Sequence, residues 1–263
     1  MNKKINTFAA SEWRPDNMIG HKIIELDSID STNSYAIRLL LKEQVEEGTV
    51  IWAREQLAGR GQNENRWDSD PGKNLTFTTI LFPRFLDPSR QFLLNKMVSL
   101  GILDFVREFA REARIKWPND IYIGDRKVSG ILIENKIVGP LMEASFVGIG
   151  ININQTRWAE DVPNPVSLIE LLRHEMILRE ALQRVCGHLE LRRSLLVAEE
   201  YALLDEDYGS CLFGLGKWME FRIGINIFEG MITGVDDFGR LHMIYREQKS
   251  HTYLHKEIEY IIP

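Results

Sequence analysis

The chain has 263 residues, 44% hydrophobic and 27% charged, a length that suits one large domain or a medium one with a small companion and needs no disulfide staples. Asp and Glu number 38 against 32 Lys and Arg, for a net charge of −6 and a pI near 5.6, which argues against a nucleic-acid-binding face of clustered cations. Two cysteines without CxxC spacing make neither a disulfide framework nor a zinc or redox pair, and no secretory leader or membrane-length apolar run is present, so a cytoplasmic protein without membrane partners is expected.

Residues 1–20 are polar and aperiodic and read as a tail. "HKIIELDSIDSTNSYAIRLLLKE" predicts a strand, a turn and a helix. Ser31 or Thr32 can accept a hydrogen bond from a backbone N–H at the helix start, and Ala36, Leu39 and Leu40 form the apolar stripe. "GTVIWARE" (48–55) and "NLTFTTILF" (74–82) are rich in β-branched and aromatic residues and predict strands. "RQFLLNKMVSLGILDFVREFAREA" has apolar residues at helical spacing. "IKWPNDIYIGDRKVSGILIEN" predicts a strand, a proline break and a hairpin turning at Gly124-Asp125, and "LMEASFVGIGININ" another long strand. From about 166 to 207 the period is helical again. After about 210 short alternating segments with Gly and Asp turns, "DDFG" among them, predict a small barrel or sandwich. The division expected is a tail (1–20), an α/β domain with a mixed or antiparallel sheet (21–209) and a small β domain (210–263).

GxxxxGK(S/T), HExxH and GxSxG are absent, and "GIGINI" puts Ile153 where a dinucleotide fingerprint needs a small residue. His251 and His255 have i,i+4 spacing but fall in strand-like sequence, so no protein-held metal is expected. What remains is four segments: "DSTN" (30–33), "EQLAGRGQNENRW" (55–67), "KWPNDIYIGDRKVSGILIE" (116–134) and "GIGININ" (148–154). Together they resemble the biotin protein ligase family, over roughly residues 21–155 at motif level and loosely beyond. KWPND followed by a lysine and SGI is the specific part; each glycine pair alone is weak.

The resemblance implies an α/β (α+β) catalytic core like that of class II aminoacyl-tRNA synthetases, with a C-terminal SH3-like barrel. Only about 20 residues precede the core here, so the monofunctional form, without a DNA-binding domain, is expected. The implied activity is activation of biotin with MgATP to biotinyl-5′-AMP, then transfer to a lysine of the biotin carboxyl carrier domain of an acetyl-CoA or related carboxylase. The family contains monomers and homodimers, and both stay open.

Biotin is mostly apolar, with a ureido ring of two N–H donors and one carbonyl, and asks for a hydrophobic pocket with a few fixed polar groups. Ser31, Thr32 and Asn33 at a helix start suit that ring, though a plain N-cap accounts for one of them; Gln56 at the strand end adds another contact. Gly59 and Gly61 permit unusual backbone and close approach, and Arg60 offers paired donors to a carboxylate or phosphate. Trp67 is expected on an adenine face, and by resemblance the whole loop, Gln62 included, orders over biotin and the adenylate. Many relatives are richer in arginine across this loop, as in GRGRRGRKW. Gln62, Asn63, Glu64 and Asn65 lose cations and add an anion, which should weaken attraction to the adenylate phosphate and leave it to Arg60 and Arg66.

Lys127 aligns with the family's catalytic lysine, which contacts the biotin carboxylate and the α-phosphate; with Arg60 it makes the catalytic pair, while Arg126 should point to the other face. Lys116, Asn119, Asp120 and Asn152 are assigned to the nucleotide by the same resemblance, and Gly130, Gly148 and Gly150 to the approach of the biotin rings; β-bulges are the plainer account of those glycines. Two alternatives stand: a lipoate or octanoyl ligase or transferase of the same fold, although no RRxSGGG-like motif is present, and a biotin receptor without catalysis.

Overall fold

A computed structural model of the chain describes residues 18–61, 66–160, 162–247 and 249–262. Strand β1 (Ile23–Ile29) leads through helix α1 (Thr32–Lys42) to β2 (Val50–Gln56) and β3 (Leu75–Leu81). Helix α2 (Phe92–Arg107) precedes β4 (Arg114–Lys116), β5 (Asp120–Ile123), β6 (Arg126–Val138) and β7 (Leu141–Ile151). Helices α3 (Leu168–Leu172), α4 (Leu178–Val197) and α5 (Tyr201–Ser210) follow, then β8 (Trp218–Ile223), β9 (Asn226–Val235), β10 (Leu241–Tyr245), β11 (Ser250–Tyr253) and β12 (Glu259–Tyr260).

The first seven strands form one sheet in the order β1-β2-β3-β7-β6-β5-β4. Only β1–β2, joined across α1, is parallel; β2–β3 and the remaining pairs are antiparallel, so the sheet is mixed. The hairpin turn falls at Gly124-Asp125, where Gly124 has φ +61, a conformation costly for a side chain.

Strand alternation then sorts the side chains onto two faces. Phe77, Val147 and Ile149 point to one face, packed with α2 and α4 in a core that continues into Phe221, Ile232 and Met243 of the C-terminal strands. Helices α2 and α4 approach closely where Gly101 meets Leu189. Ile51, Ile80 and Phe146 point to the other face and meet Ala36, Leu39 and Leu40 of α1. In register with Ile80 and Phe146 on that second face come Thr78 beside Gly148, Leu132 beside Gly148, and Gly130 beside Gly150. Past the start of α1 the sheet face therefore carries glycines instead of core side chains, and a hollow opens.

The C-terminal strands form a second, antiparallel sheet in the order β11-β10-β9-β8-β12, the small β unit expected after residue 210. The Asp236–Gly239 turn forms as the sequence indicates, Asp236 Oδ1 accepting from Phe238 N and Arg240 N. Among the described residues no helix is long and apolar enough to cross a membrane.

Candidate functional site

The hollow is a cleft of about 600 Å³, in the size range of small-molecule sites. It brings together residues from all four motif segments: Ser31, Thr32, Asn33, Gln56, Arg60, Gly61, Trp67, Lys116, Asp120, Lys127, Gly130, Gly148 and Gly150 line it.

One end is a chain of hydrogen bonds. Ser31 occupies the N-cap position of α1 without a side-chain cap bond, contrary to the simple capping expectation. Gln56, at the end of the neighbouring β2, does that work instead: its Oε1 accepts from Thr32 N at 2.8 Å and from Thr32 Oγ1 at 3.1 Å. The hydroxyl of Thr78 lies 2.8 Å from Thr32 Oγ1 and 2.6 Å from Asn33 Oδ1. Asn33 Nδ2 donates to Glu134 Oε2 at 2.8 Å, and Arg60 Nη2 donates to that same oxygen at 2.5 Å. Six side chains from α1, β2, β3, β6 and the loop after β2 thus hold one another in register.

Absence of side chains makes the floor. An ideal Cβ at Gly148 would fall 2.5 Å from Asn33 Oδ1, and one at Gly150 would fall 2.2 Å from the Trp67 ring. That indole also reaches Gly130, and its buried Nε1 has no hydrogen-bond partner. Trp67 therefore rests on the glycine floor itself. The loop that carries it is pinned at its neck, where Trp67 N donates to Gly59 O and Arg60 bridges Arg66 in antiparallel fashion. Gly59 is packed beneath the Trp67 carbonyl in this neck and does not line the cleft. Gln62, also expected at the site, lies outside the described residues.

The other end is cationic. Lys127 Nζ lies 2.8 Å from Asp120 Oδ2 and 5.9 Å from the Trp67 ring centroid. Its backbone is clamped to the 164–166 segment, Lys127 N donating to Asn164 O and Val166 N to Lys127 O, which fixes where the side chain starts. Arg126, as alternation requires, goes elsewhere and pairs with Glu170. Lys116 sits between the rings of Tyr122 and Tyr260, 5.2 Å from each centroid. Burial pulls its ammonium below the ordinary lysine range, helped by the nearby Lys127 charge and opposed by Asp120.

Asn119 and Asn152, expected against the nucleotide, stand behind the wall of the cleft. Asn119 is buried and donates to Asn95 Oδ1 and to Ile131 O. Asn152 donates to the carbonyls of Lys127 and Val166, and its own buried Oδ1 has no partner. Asn119 thereby ties the turn before Asp120 to β6, and Asn152 ties the end of β7 to the start of β6 and to the 164–166 segment, so the two brace the backbone that presents Asp120 and Lys127.

Sequence reasoning missed Thr78, Glu134 and a third wall. Thr78 is one of four threonine and phenylalanine residues in a strand buried at every position, so nothing set it apart from core. The wall comes from the far end of the chain: His255, Lys256, Glu259 and Tyr260, between β11 and the C-terminus, close the cleft beside Lys116. Trp117 of KWPND holds the two parts together, its Nε1 donating to Gly239 O at 2.9 Å and its ring standing edge-on to His255.

A buried row of hydroxyl and amide groups, a side-chain-free floor, a tryptophan lid and paired cations suit a mostly apolar ligand that carries a polar ring at one end and an anion at the other. Residues 25–152 match the Biotin/lipoate A/B protein ligase family. The chain is similar to the bifunctional ligase/repressor BirA of Bacillus spizizenii, at 28% identity over 249 residues, 91% of this chain and 75% of that protein. It is also similar to a biotin–acetyl-CoA-carboxylase ligase of Paracoccus denitrificans, at 29% identity over 218 residues, 81% of this chain and 90% of that one. Its fold matches that of a biotin protein ligase from Aquifex aeolicus in complex with biotin and ATP, with a TM-score of 0.75 at 24% identity over 92% of this chain and 100% of that one. Residues 25–152 thus carry a domain of the Biotin/lipoate A/B protein ligase family, in a chain whose fold is that of the Aquifex structure.

Proposed function

We propose that the chain activates biotin with MgATP to biotinyl-5′-AMP and transfers the biotinyl group to a lysine of a biotin carboxyl carrier domain, that of an acetyl-CoA or related carboxylase. The observation that carries this reading is the placement of Lys127: a cation beside a glycine floor and under an indole, at the end of the cleft opposite the Asn33–Gln56 hydrogen-bond chain.

A carboxylate oxygen of biotin attacks the α-phosphorus, and the bond to pyrophosphate breaks. On this reading Lys127, with Arg60 reaching from the lid, meets the charge that gathers on the phosphate oxygens, in a site that Trp67 screens from water. The acceptor ε-amine then attacks the acyl carbon, AMP leaves with the electron pair, and the amine proton passes to solvent. No side-chain nucleophile is required; positioning and charge carry the reaction. Mg²⁺ is read as arriving with ATP.

Adenylate formation with biotin and lipoate offered separately tests the substrate. Pyrophosphate release with biotin alone supports the reading, and release with lipoate alone replaces it with the lipoate alternative. Lys127→Ala should abolish that release while the protein stays folded; near-normal release removes Lys127 from the mechanism.

A further inference from the structure

We infer that Glu134 is a positioning residue that ties the polar recognition end of the cleft to its lid, an inference that rests on the biotin reading above. Glu134 follows Leu132 on the cleft face of β6, opposite Phe146 of β7. A carboxylate only accepts hydrogen bonds. The end of the Asn33 amide 2.8 Å away must therefore be Nδ2, a choice reinforced by the Leu132 carbonyl, which accepts from the same nitrogen at 3.3 Å. Asn33 Oδ1 is thereby turned toward Thr78 and Gly148. One of its lone pairs takes the Thr78 hydroxyl, and the other is left as a fixed acceptor for a ligand N–H. Were the amide free to flip, half its orientations would present a donor to a donor.

The same Glu134 oxygen accepts from Arg60 Nη2 at 2.5 Å. Arg60 is the lid residue beside the cleft, and a guanidinium has five N–H donors. The pairing holds one amino group over the sheet and leaves the remaining donors for the ligand's anion. Glu134 acts on the ligand through two other side chains, one of the recognition row and one of the lid.

Its two roles separate by substitution. Glu134→Gln keeps an acceptor for Asn33 but loses the charge that holds Arg60; Glu134→Ala loses both. With wild type, both variants, Arg60→Ala and the Glu134→Ala/Arg60→Ala double variant, two quantities are measured: biotin affinity by titration calorimetry, and the rate at which preloaded biotinyl-5′-AMP escapes. Glu134→Ala should weaken biotin about tenfold and speed escape about tenfold, the size expected for a lost charge-assisted hydrogen bond. Glu134→Gln should bind biotin within about threefold of wild type yet release the adenylate as fast as Glu134→Ala. The double variant should release no faster than Arg60→Ala alone. A residue that merely stabilises the fold would lower the melting temperature without this split. The inference is overturned if wild type binds biotin while both Glu134 variants match it in affinity and escape rate, or if the Glu134 and Arg60 effects on escape simply add. A wild-type chain that binds no biotin overturns the ligase reading and this inference together.

Discussion

The ammonium of Lys127 and the carboxylate of Asp120 form an ion pair 2.8 Å long inside the cleft, each side chain somewhat under one-third exposed. Such a pair contributes little to stability, about 0–1 kcal/mol when solvent reaches it. Its value lies in aim: Asp120 begins β5, Lys127 lies just past the hairpin turn, and the pair fixes a flexible lysine against the floor. Asp120→Asn should lower the rate of adenylate formation by about 10- to 100-fold, a loss typical of a misplaced charge, with biotin affinity changed little. Single-turnover pyrophosphate release and a thermal melt check both halves. A full-rate Asp120→Asn enzyme would show that Lys127 needs no partner.

Gly148 and Gly150 should respond differently to alanine. A Cβ at Gly150 meets the ring of Trp67, the movable end of a loop side chain, whereas a Cβ at Gly148 meets Asn33, which is tied by hydrogen bonds on both ends of its amide. Gly150→Ala is expected to keep the melting temperature within a few degrees and to raise the biotin KM by displacing the lid. Gly148→Ala breaks Asn33 from Thr78 or Glu134, and costs biotin binding and about 1–3 kcal/mol of stability through the groups left unpaired. Biotin titration with urea unfolding of both variants makes the comparison.

The elements that punctuate themselves were legible in the sequence. Proline at 118 and the Gly124-Asp125 turn predict a hairpin that is present, and the motif strings converge on one cleft as their resemblance implies. What was hidden depends on register and on distance along the chain. Whether Asn119 faces a ligand or braces a turn is decided by which carbonyls lie near it, and the Ile131 carbonyl comes near only after β6 has paired. Thr78 gains its place from the strand order, which sets it beside Gly148 some 70 residues later in the chain. Nothing local in "LHKEIEY" says that it closes a site built around Lys116; the Trp117–Gly239 hydrogen bond that docks this region spans 122 residues.

The lowered pKa of Lys116 has a kinetic consequence. Burial disfavours the ammonium, so Lys116 sheds its proton at lower pH than an exposed lysine does. The cationic form is the one that attracts phosphate; the benefit is present below the lowered pKa and lost as pH rises through it. Because kcat/KM reports groups on the free enzyme, kcat/KM for ATP should fall on the alkaline side below the usual lysine pKa of about 10.4. Lys116→Arg, which stays charged, should flatten that limb. Profiles of kcat/KM for ATP against pH, wild type beside Lys116→Arg, decide it: identical alkaline limbs would assign the loss to another group.

Tyr208 of α5 is fully buried, stands edge-on to Phe92, and donates its hydroxyl to the Pro118 carbonyl at 2.6 Å. This bond reaches the proline that breaks the strand between Lys116 and Asp120, so the helix layer supports the cationic end of the cleft from behind. Tyr208→Phe keeps the ring packing and removes only the hydroxyl, leaving a buried carbonyl without that donor. The expected cost is about 1–3 kcal/mol, seen as a lower urea midpoint with an unchanged m-value. Since the turn carries Lys116 and Asp120 but not Asn33 or Gln56, the same variant should lose several-fold in kcat/KM for ATP while its biotin affinity holds. A variant that loses stability and biotin affinity together, with ATP kinetics intact, would place the strain at the wrong end of the cleft and refute this account of α5.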